Sequence, residues 1–241
     1  MLAEGKNPVR EALKSNLTIE KILVLDKTQD KEIREQIEIA KQRKIRVEFV
    51  QKVVLDKMSQ TGHHQGIIAV TTDFKYSDLD QILSKVKNNN KRKLFLILDG
   101  IEDPHNLGGI IRSAECFGAS AVIIPARRSA LVNETVIRTS AGAVNLVDVC
   151  KVTNVNDAIK KLKDNNIFVY AADMDGEPIA RTNLTGDIAI VVGSEGFGVS
   201  NLTRKLADQI VAIPMIGEIN SLNASVSAGI MLYEAFRQQK K

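Results

Sequence analysis

The feature that most constrains the fold is a series of short, almost purely apolar runs that begins at residue 93. Segments of helical periodicity separate most of the runs, which are KLFLIL (93–98), AVII (121–124), NLVDVC (145–150), IFVYAA (167–172), IAIVVG (188–193) and QIVAIP (209–214). Strands with one solvated face alternate apolar and polar residues, whereas continuous apolar runs indicate strands buried on both faces. The pattern therefore predicts a parallel α/β sheet with helices on both sides, in which ligands bind beyond the carboxyl ends of the strands.

The first 72 residues carry a separate α/β pattern. IEKILVL (19–25), IRVEFV (45–50) and the apolar part of GHHQGIIAVT (62–71) predict strands, and DKEIREQIEIAKQRK (30–44) predicts a helix. Residues 73–92 are polar and include Asn88-Asn89-Asn90, which predicts a linker with at most one helical stretch. The predicted organisation is a small domain over 1–72, a linker over 73–92 and a larger domain over 93–241.

Several classes of protein are disfavoured by composition. No apolar run approaches the ~20 residues of a membrane span, and the N-terminal MLAEGKNPVREAL, with Glu4 and Glu11, does not resemble a signal peptide. Cys116 and Cys150 stand alone, without the spacing of a zinc site or a disulfide framework. We therefore expect a cytoplasmic protein that binds neither a metal ion nor a membrane.

The net charge of +4 is too small to identify a partner by itself. The basic excess lies within the first 92 residues, which favours an anionic polymer bound there. The alternative is an ordinary solvated surface with scattered charges.

The loops that follow three of the predicted strands carry polar residues. In LDGIEDPHNLGGIIRSAECFGA (98–119), Asn106 is placed to cap a helix, and Ile110, Ala114 and Phe117 form its buried stripe. Arg112 lies about 200° around the helix from Ile110 and should point away from the core. Alternatively, Asn106 is only a helix cap and Arg112 only a solvated surface residue, and neither belongs to a functional site.

The other two loops are IVVGSEGFGVS (190–200) and IPMIGEINSLNASVSAGIMLYEAF (213–236). The first is neither a P-loop nor a GxGxxG dinucleotide motif, and Glu195 would repel a phosphate; Ser200 can cap the next helix. In the second, Ser221 can cap a helix by accepting the N–H of Ala224, and Leu222, Val226, Ile230 and Tyr233 are predicted to form its buried stripe. Asn223 is superfluous as a cap.

Taken together, the three loops resemble the three motifs of the SpoU branch of the SPOUT RNA 2′-O-ribose methyltransferases. DPHNLGGIIRSAECFGA is similar to motif one, VVGSEGFGVS to motif two and IPMIGEINSLNASVSAGIMLYEAFRQ to motif three, over residues 98–238. GKNPVREAL and GHHQGIIA resemble the substrate-binding extension of the subgroup that methylates a guanosine of 23S ribosomal RNA. The resemblance implies a parallel-sheet catalytic domain with a C-terminal deep trefoil knot, preceded by a small α/β RNA-binding domain like those of ribosomal proteins.

The resemblance also implies the cofactor, the partners and the site. S-adenosylmethionine would lie against Gly193, Ile213, Met215, Ser221 and Leu222, structured ribosomal RNA would be the substrate, and the enzyme would be a homodimer with its site near the subunit interface. Asn106, Arg112, Glu195 and Asn223 match the polar positions of the family's site.

Arg112 matches the residue that, in the family, accepts the proton of the ribose 2′-hydroxyl. This is an unusual base, because arginine stays charged in nearly all protein environments. Arg112 could equally clamp a phosphate of the RNA.

Other readings of the sequence stay open at this point. The substrate could be a guanosine of transfer RNA, although the N-terminal domain favours ribosomal RNA. The chain could also be a non-catalytic RNA-binding or ribosome-assembly protein of the same fold. A nucleotide-dependent enzyme of the dehydrogenase type is disfavoured by the glycine spacing.

Overall fold

The computed structural model describes residues 2–14, 18–72, 74–87, 92–218 and 221–239. The chain divides into two compact units. The first comprises residues 1–75 together with 132–134, and the second comprises 76–131 and 135–241. Asn88–Asn90 and Asn220 lie outside the described residues.

The first unit is built on a four-stranded sheet of order β1-β4-β2-β3, in which β2 and β3 run parallel and the other neighbours antiparallel. Its elements are β1 (Leu2–Glu4), α1 (Lys6–Lys14), β2 (Thr18–Leu25), α2 (Lys31–Gln42), β3 (Arg46–Val50), α3 (Lys52–Met58) and β4 (Ile67–Thr72). The predicted strands and the helix α2 are confirmed. The sequence patterns did not identify β1 or α1, which are both short.

Helices cover both faces of this first sheet. Val9, Ile22, Ile33 and Ile67 belong to a core that joins α1 and α2 to the sheet, and a smaller cluster around Leu55 packs α3 on the opposite face. Burial of these aliphatic side chains is the main source of the unit's stability.

Glu4 holds the loop that precedes β4. Its carboxylate accepts hydrogen bonds from the Ser59 and Thr61 hydroxyls and from the backbone N–H groups of Gln60 and Thr61. The bonds from Ser59, Thr61 and Gln60 lower the pKa of Glu4 to about 2, because they stabilise its ionised form.

The second unit contains a six-stranded, fully parallel sheet of order β10-β8-β9-β5-β6-β7. Its strands are β5 (Leu94–Asp99), β6 (Ala121–Pro125), β7 (Asp148–Val152), β8 (Phe168–Pro178), β9 (Ile188–Gly193) and β10 (Gln209–Ala212). Its helices are α4 (Leu79–Lys87), α5 (Pro104–Cys116), α6 (Glu134–Thr139), α7 (Val155–Asp164), α8 (Asn201–Leu206) and α9 (Ala224–Gln239). Each of the six apolar runs contributes to a strand, so the predicted parallel sheet is confirmed.

Part of the predicted linker packs as part of this second unit. Leu79, Ile82 and Leu83 of α4 are buried in the same core as Phe95 and Ile97 of β5. The apolar spacing of α4 provides the reason, since it gives an otherwise polar segment one buried face.

The central strands β5 and β9 are buried along nearly their whole length. Burial on both faces explains why their sequences lack alternation. Their carboxyl ends lie side by side, with Asp99 opposite Gly193 in the ladder. Among the described residues, no helix is long and apolar enough to cross a membrane.

Candidate active site at the carboxyl edge of the second sheet

The loops after β5, β9 and β10 meet at the carboxyl edge of the second sheet. Three of the predicted site residues form one hydrogen-bonded cluster there: Asn106 lies in the first turn of α5, Glu195 in the loop after β9, and Asn223 directly before α9. Asn106 Nδ2 donates to Glu195 Oε1 at 3.0 Å, and Asn223 Nδ2 lies 2.6 Å from the same oxygen and 2.9 Å from Asn106 Oδ1. The backbone N–H of Ala224 donates to Glu195 Oε1 at 3.1 Å. One carboxylate oxygen thus joins segments that are far apart in sequence.

The structure corrects the prediction about the start of α9. Asn223, not Ser221, caps this helix, because its Oδ1 accepts the N–H groups of Ser225 at 2.9 Å and Val226 at 3.3 Å. The N–H of Ala224, which was assigned to Ser221, is bound by Glu195 instead. Both polar atoms of the Asn223 side chain therefore form hydrogen bonds. Its oxygen caps α9, and its nitrogen donates to Glu195 and Asn106.

Asn106 was also expected to cap a helix, and this expectation is wrong. Pro104 starts α5, and Asp103 caps it by accepting the N–H of His105 at 2.9 Å. Asn106 lies within the first turn of the helix, so its side chain is available to the cluster.

The glycine-rich loop after β9 folds back on itself. Ser194 and Gly198 exchange backbone hydrogen bonds, with N···O distances of 3.2 and 2.9 Å. A Cβ added to Gly193 would lie 2.0 Å from the backbone carbon of Gly198, so no side chain fits at position 193. Gly198 has a φ of +63°, in the left-handed region.

A cavity of about 360 Å³ lies against this loop, and we call it the first cavity. All five residues predicted to bind the cofactor line it, namely Gly193, Ile213, Met215, Ser221 and Leu222. Among the described residues that line the first cavity, the charged ones are Glu195 and Asp173, both acidic. The first cavity is therefore suited electrostatically to a cation.

Sequence reasoning did not single out Asp173, which follows the buried part of β8. Its carboxylate accepts a hydrogen bond from Nη1 of Arg204, whose Nη2 donates to Asp175 Oδ2 at 2.9 Å. Hydrogen bonds to Asp175 and Asp173 raise the pKa of Arg204, and the Arg204 bond lowers the pKa of Asp175. The available sequence signal for Asp173 was its position directly after the apolar run of β8, on the ligand side of a parallel sheet.

A second cavity of about 450 Å³ adjoins the first. The two share part of their lining, namely Ser194, Glu195, Gly196, Phe197 and Ala224. The rest of the second cavity is lined by Gly100, Ile101, Glu102, Asp103, Asn106 and Arg128. The polar cluster thus stands where two cavities meet, which is a suitable arrangement for transfer between two bound molecules.

Arg112 is not part of the cluster. It lies on the exposed side of α5, as its helical position predicts, and it lines neither cavity. No hydrogen bond or ion pair joins its guanidinium to another described residue. The structure therefore brings together Asn106, Glu195 and Asn223 and leaves Arg112 outside.

The predicted apolar stripe of α9 is largely exposed. Val226, Ile230 and Tyr233 have exposed fractions of 48%, 37% and 52%, while Ala224, Ala228, Met231, Leu232 and Ala235 are buried. The prediction of a buried stripe was wrong because a different face of α9, which also has helical spacing and includes Met231 and Leu232, packs against the rest of the unit.

The described residues include no group of three or more His, Cys, Asp or Glu side chains that could hold a metal ion.

Two protein-family models match the chain. The model described as the SpoU rRNA methylase family matches residues 93–233, and the model described as RNA 2′-O ribose methyltransferase substrate binding matches residues 2–77. Between them the models cover most of both units.

The chain is also similar to individual proteins. It is 41% identical to a TrmH family tRNA/rRNA methyltransferase of Staphylococcus saprophyticus, over 98% of this chain and 94% of the relative. It resembles the crystal structure of the SpoU methyltransferase AviRb from Streptomyces viridochromogenes with AdoMet, with a TM-score of 0.63, 25% identity, and coverage of 99% of this chain and 89% of that one. The TrmH/SpoU tRNA modifying enzyme of A. aeolicus matches with a TM-score of 0.58 and 27% identity, but over only 67% of this chain and 83% of its own.

Proposed function

The chain belongs to the SpoU family of RNA 2′-O-ribose methyltransferases, which use S-adenosylmethionine, and from that premise we propose that it methylates a guanosine of 23S ribosomal RNA. One observation carries the choice of ribosomal RNA. The first unit matches a substrate-binding domain, whereas the similarity to the A. aeolicus tRNA enzyme covers only 67% of the chain. A separate unit for the substrate suits recognition of a large structured RNA through its shape and its phosphates.

The first cavity fits the cofactor. Gly193 allows the glycine-rich loop to fold tightly at the cavity wall, since a Cβ there would collide with the Gly198 backbone. Ile213, Met215 and Leu222 provide apolar contacts, and Ser221 provides a hydroxyl. Asp173 and Glu195 oppose the positive charge of a sulfonium. We assign S-adenosylmethionine to this cavity; when bound, it supplies an activated methyl group.

The chain itself must then orient the ribose and take up the proton of its 2′-hydroxyl. We assign the orienting role to Asn106, Glu195 and Asn223, because their cluster lies between the two cavities. The mutual bonds fix the three side chains before the substrate arrives, which reduces the entropy lost on binding.

Arg112 is assigned to the proton-accepting step or to a phosphate of the RNA. Its position on the surface of α5 supports a site completed by a second copy of the chain. The exposed Val226, Ile230 and Tyr233 of α9 provide an apolar surface for that contact, and α9 packs directly against α5. We therefore propose a homodimer. The trefoil knot and the cytoplasmic location stay predictions from the resemblance.

The substrate is tested by mapping 2′-O-methyl groups on total RNA from cells with and without the protein. We expect one guanosine of 23S ribosomal RNA to lose its methyl group, and loss from transfer RNA instead would overturn the substrate proposal. Transfer of labelled methyl to a 23S transcript by wild-type protein, and its loss in Arg112→Ala with cofactor binding intact, supports the role of Arg112. Full methylation by Arg112→Ala would remove that role.

The oligomeric state needs its own measurement. Sedimentation of the wild type should give a dimer, and Ile230→Asp should give a monomer, because a charge in a covered apolar surface is costly. Leu146→Asp is a matched control, since Leu146 is an exposed apolar residue outside α9. A wild-type monomer, or a dimer of Ile230→Asp as stable as that of the wild type, would contradict the α9 contact.

A further inference from the structure

We propose that the second cavity binds the target nucleotide of the RNA and that Arg128 holds a phosphate of that nucleotide. This inference rests on the proposed function, because it takes the first cavity as the cofactor site. A methyl transfer requires the donor and the acceptor in adjoining spaces. The two cavities meet this requirement, since they share the wall that contains Glu195.

The loop that carries Arg128 is fixed on both sides of this residue. The N–H of Ala126 donates to the carbonyl oxygen of Val152 at 2.8 Å, and the N–H of Ala130 donates to that of Ile101 at 2.7 Å. Ile101 itself lines the second cavity. These bonds place Arg128 beside the loop that follows β5, so its position is defined by the fold.

Arg128 also has an unfavourable backbone conformation. Its φ is +52°, in the left-handed region where the Cβ of a residue other than glycine crowds its own backbone. Glycine, or asparagine with less strain, would satisfy this turn better than arginine does. A strained residue at a cavity is reason to look for a use of its side chain.

The charges around the second cavity suit the two ends of a nucleotide. Among the described residues that line it, Arg128 is the sole cation, and its guanidinium makes no hydrogen bond or ion pair with another described residue. The acidic lining residues are Glu102, Asp103 and Glu195. Carboxylates repel a phosphate but accept hydrogen bonds from ribose hydroxyls, whereas a guanidinium can bind two phosphate oxygens at once. The nucleotide is thus oriented with its ribose towards Asn106 and Glu195 and its phosphate towards Arg128.

The bland explanation is that Arg128 is a solvated surface residue in a turn. Arg128→Gly separates the two explanations, because it removes the guanidinium while relieving the left-handed strain. Loss of function in this variant cannot be attributed to misfolding if the melting temperature is equal to or higher than that of the wild type. Arg127→Ala is the matched control, since Arg127 is an exposed neighbour that does not line the cavity.

The experiment measures binding of a 23S ribosomal RNA transcript at several salt concentrations, together with cofactor affinity by calorimetry. For Arg128→Gly we expect about tenfold weaker RNA binding and unchanged cofactor affinity. The slope of log Kd against the logarithm of the salt concentration should also fall by about 0.7–0.9, which corresponds to the loss of one phosphate contact. Arg128→Lys should recover part of the affinity, and Arg127→Ala should stay within about twofold of the wild type.

Unchanged RNA affinity and salt dependence in Arg128→Gly would overturn this inference while leaving the proposed function intact. Equal weakening by Arg127→Ala would also overturn it, because the effect would then be one of general surface charge. Failure of the wild type to methylate 23S or transfer RNA would instead count against the proposed function.

Discussion

Asn223→Asp should destabilise the second unit through one defined contact. The substituted carboxylate can still cap α9, because aspartate and asparagine are comparable caps. It can no longer donate to Glu195 Oε1 and Asn106 Oδ1, which lie 2.6 and 2.9 Å from the wild-type nitrogen. It also places a second negative charge beside Glu195.

The size of the effect follows from these contacts. Each lost hydrogen bond costs about 0.5–1.5 kcal/mol. Two like charges at ~4 Å repel by about 1 kcal/mol when water surrounds them, as it does around this exposed cluster. The sum is about 2–3 kcal/mol at the lower values that exposure warrants, which corresponds to a melting temperature lowered by about 5–10 °C.

Thermal unfolding should be followed at low and at high salt, with S-adenosylmethionine affinity measured in parallel. The deficit of Asn223→Asp should shrink at high salt, because salt screens the repulsion between two exposed carboxylates. The double variant Glu195→Gln/Asn223→Asp should recover most of the lost stability, since the new amide can donate to the new carboxylate. A deficit that persists undiminished in the double variant would refute the contact as the cause.

Three further results are expected. Gly193→Ala should abolish cofactor binding in calorimetry, because its Cβ would meet the Gly198 backbone at 2.0 Å; wild-type affinity would contradict the fit of the first cavity. Asp173→Asn should weaken S-adenosylmethionine binding about tenfold and S-adenosylhomocysteine binding less, since the product lacks the sulfonium charge; equal losses would rule out charge recognition. In Glu4→Gln, the free energy of unfolding should fall less than in the wild type as the pH is lowered from about 4.5 to 2. The pKa of Glu4 is lowered from 4.5 to about 2, so its contribution is complete above about pH 4.5 and lost as the pH falls towards 2, and an unchanged acid limb would show that the loop bonds do not matter.

The sheet was accessible from the sequence because burial on both faces leaves a local signature in each strand. The helix α2 and the cap of α8 were also predictable from local sequence. Ser200 caps α8, because its hydroxyl accepts the N–H of Thr203. The short α1 was missed although its buried residues Val9, Ala12 and Leu13 have helical spacing.

The site was less accessible. The family resemblance supplied the residues, but their contacts depend on which residues from distant parts of the sequence lie beside each group in the folded chain. Ser221 was the local candidate for the Ala224 N–H, yet Glu195, from another loop, binds it. The exposure of Val226 and Ile230 depends on which face of α9 packs against the rest of the unit, which spacing alone does not reveal. Arg128 and Asp173 belong to none of the recognised motifs, and the cavities that they line identify them more directly than the sequence does.

The long sequence separations within the polar cluster have a kinetic consequence. Asn106 contacts Glu195 across 89 residues and Asn223 across 117, so these contacts close large loops and should form late during folding. Glu195 of the cluster also lines the first cavity, so a ligand bound in that cavity stabilises the native state but not a transition state that precedes the cluster. The cofactor should therefore slow unfolding and leave the rate of refolding nearly unchanged, so that it protects the finished enzyme without guiding its assembly.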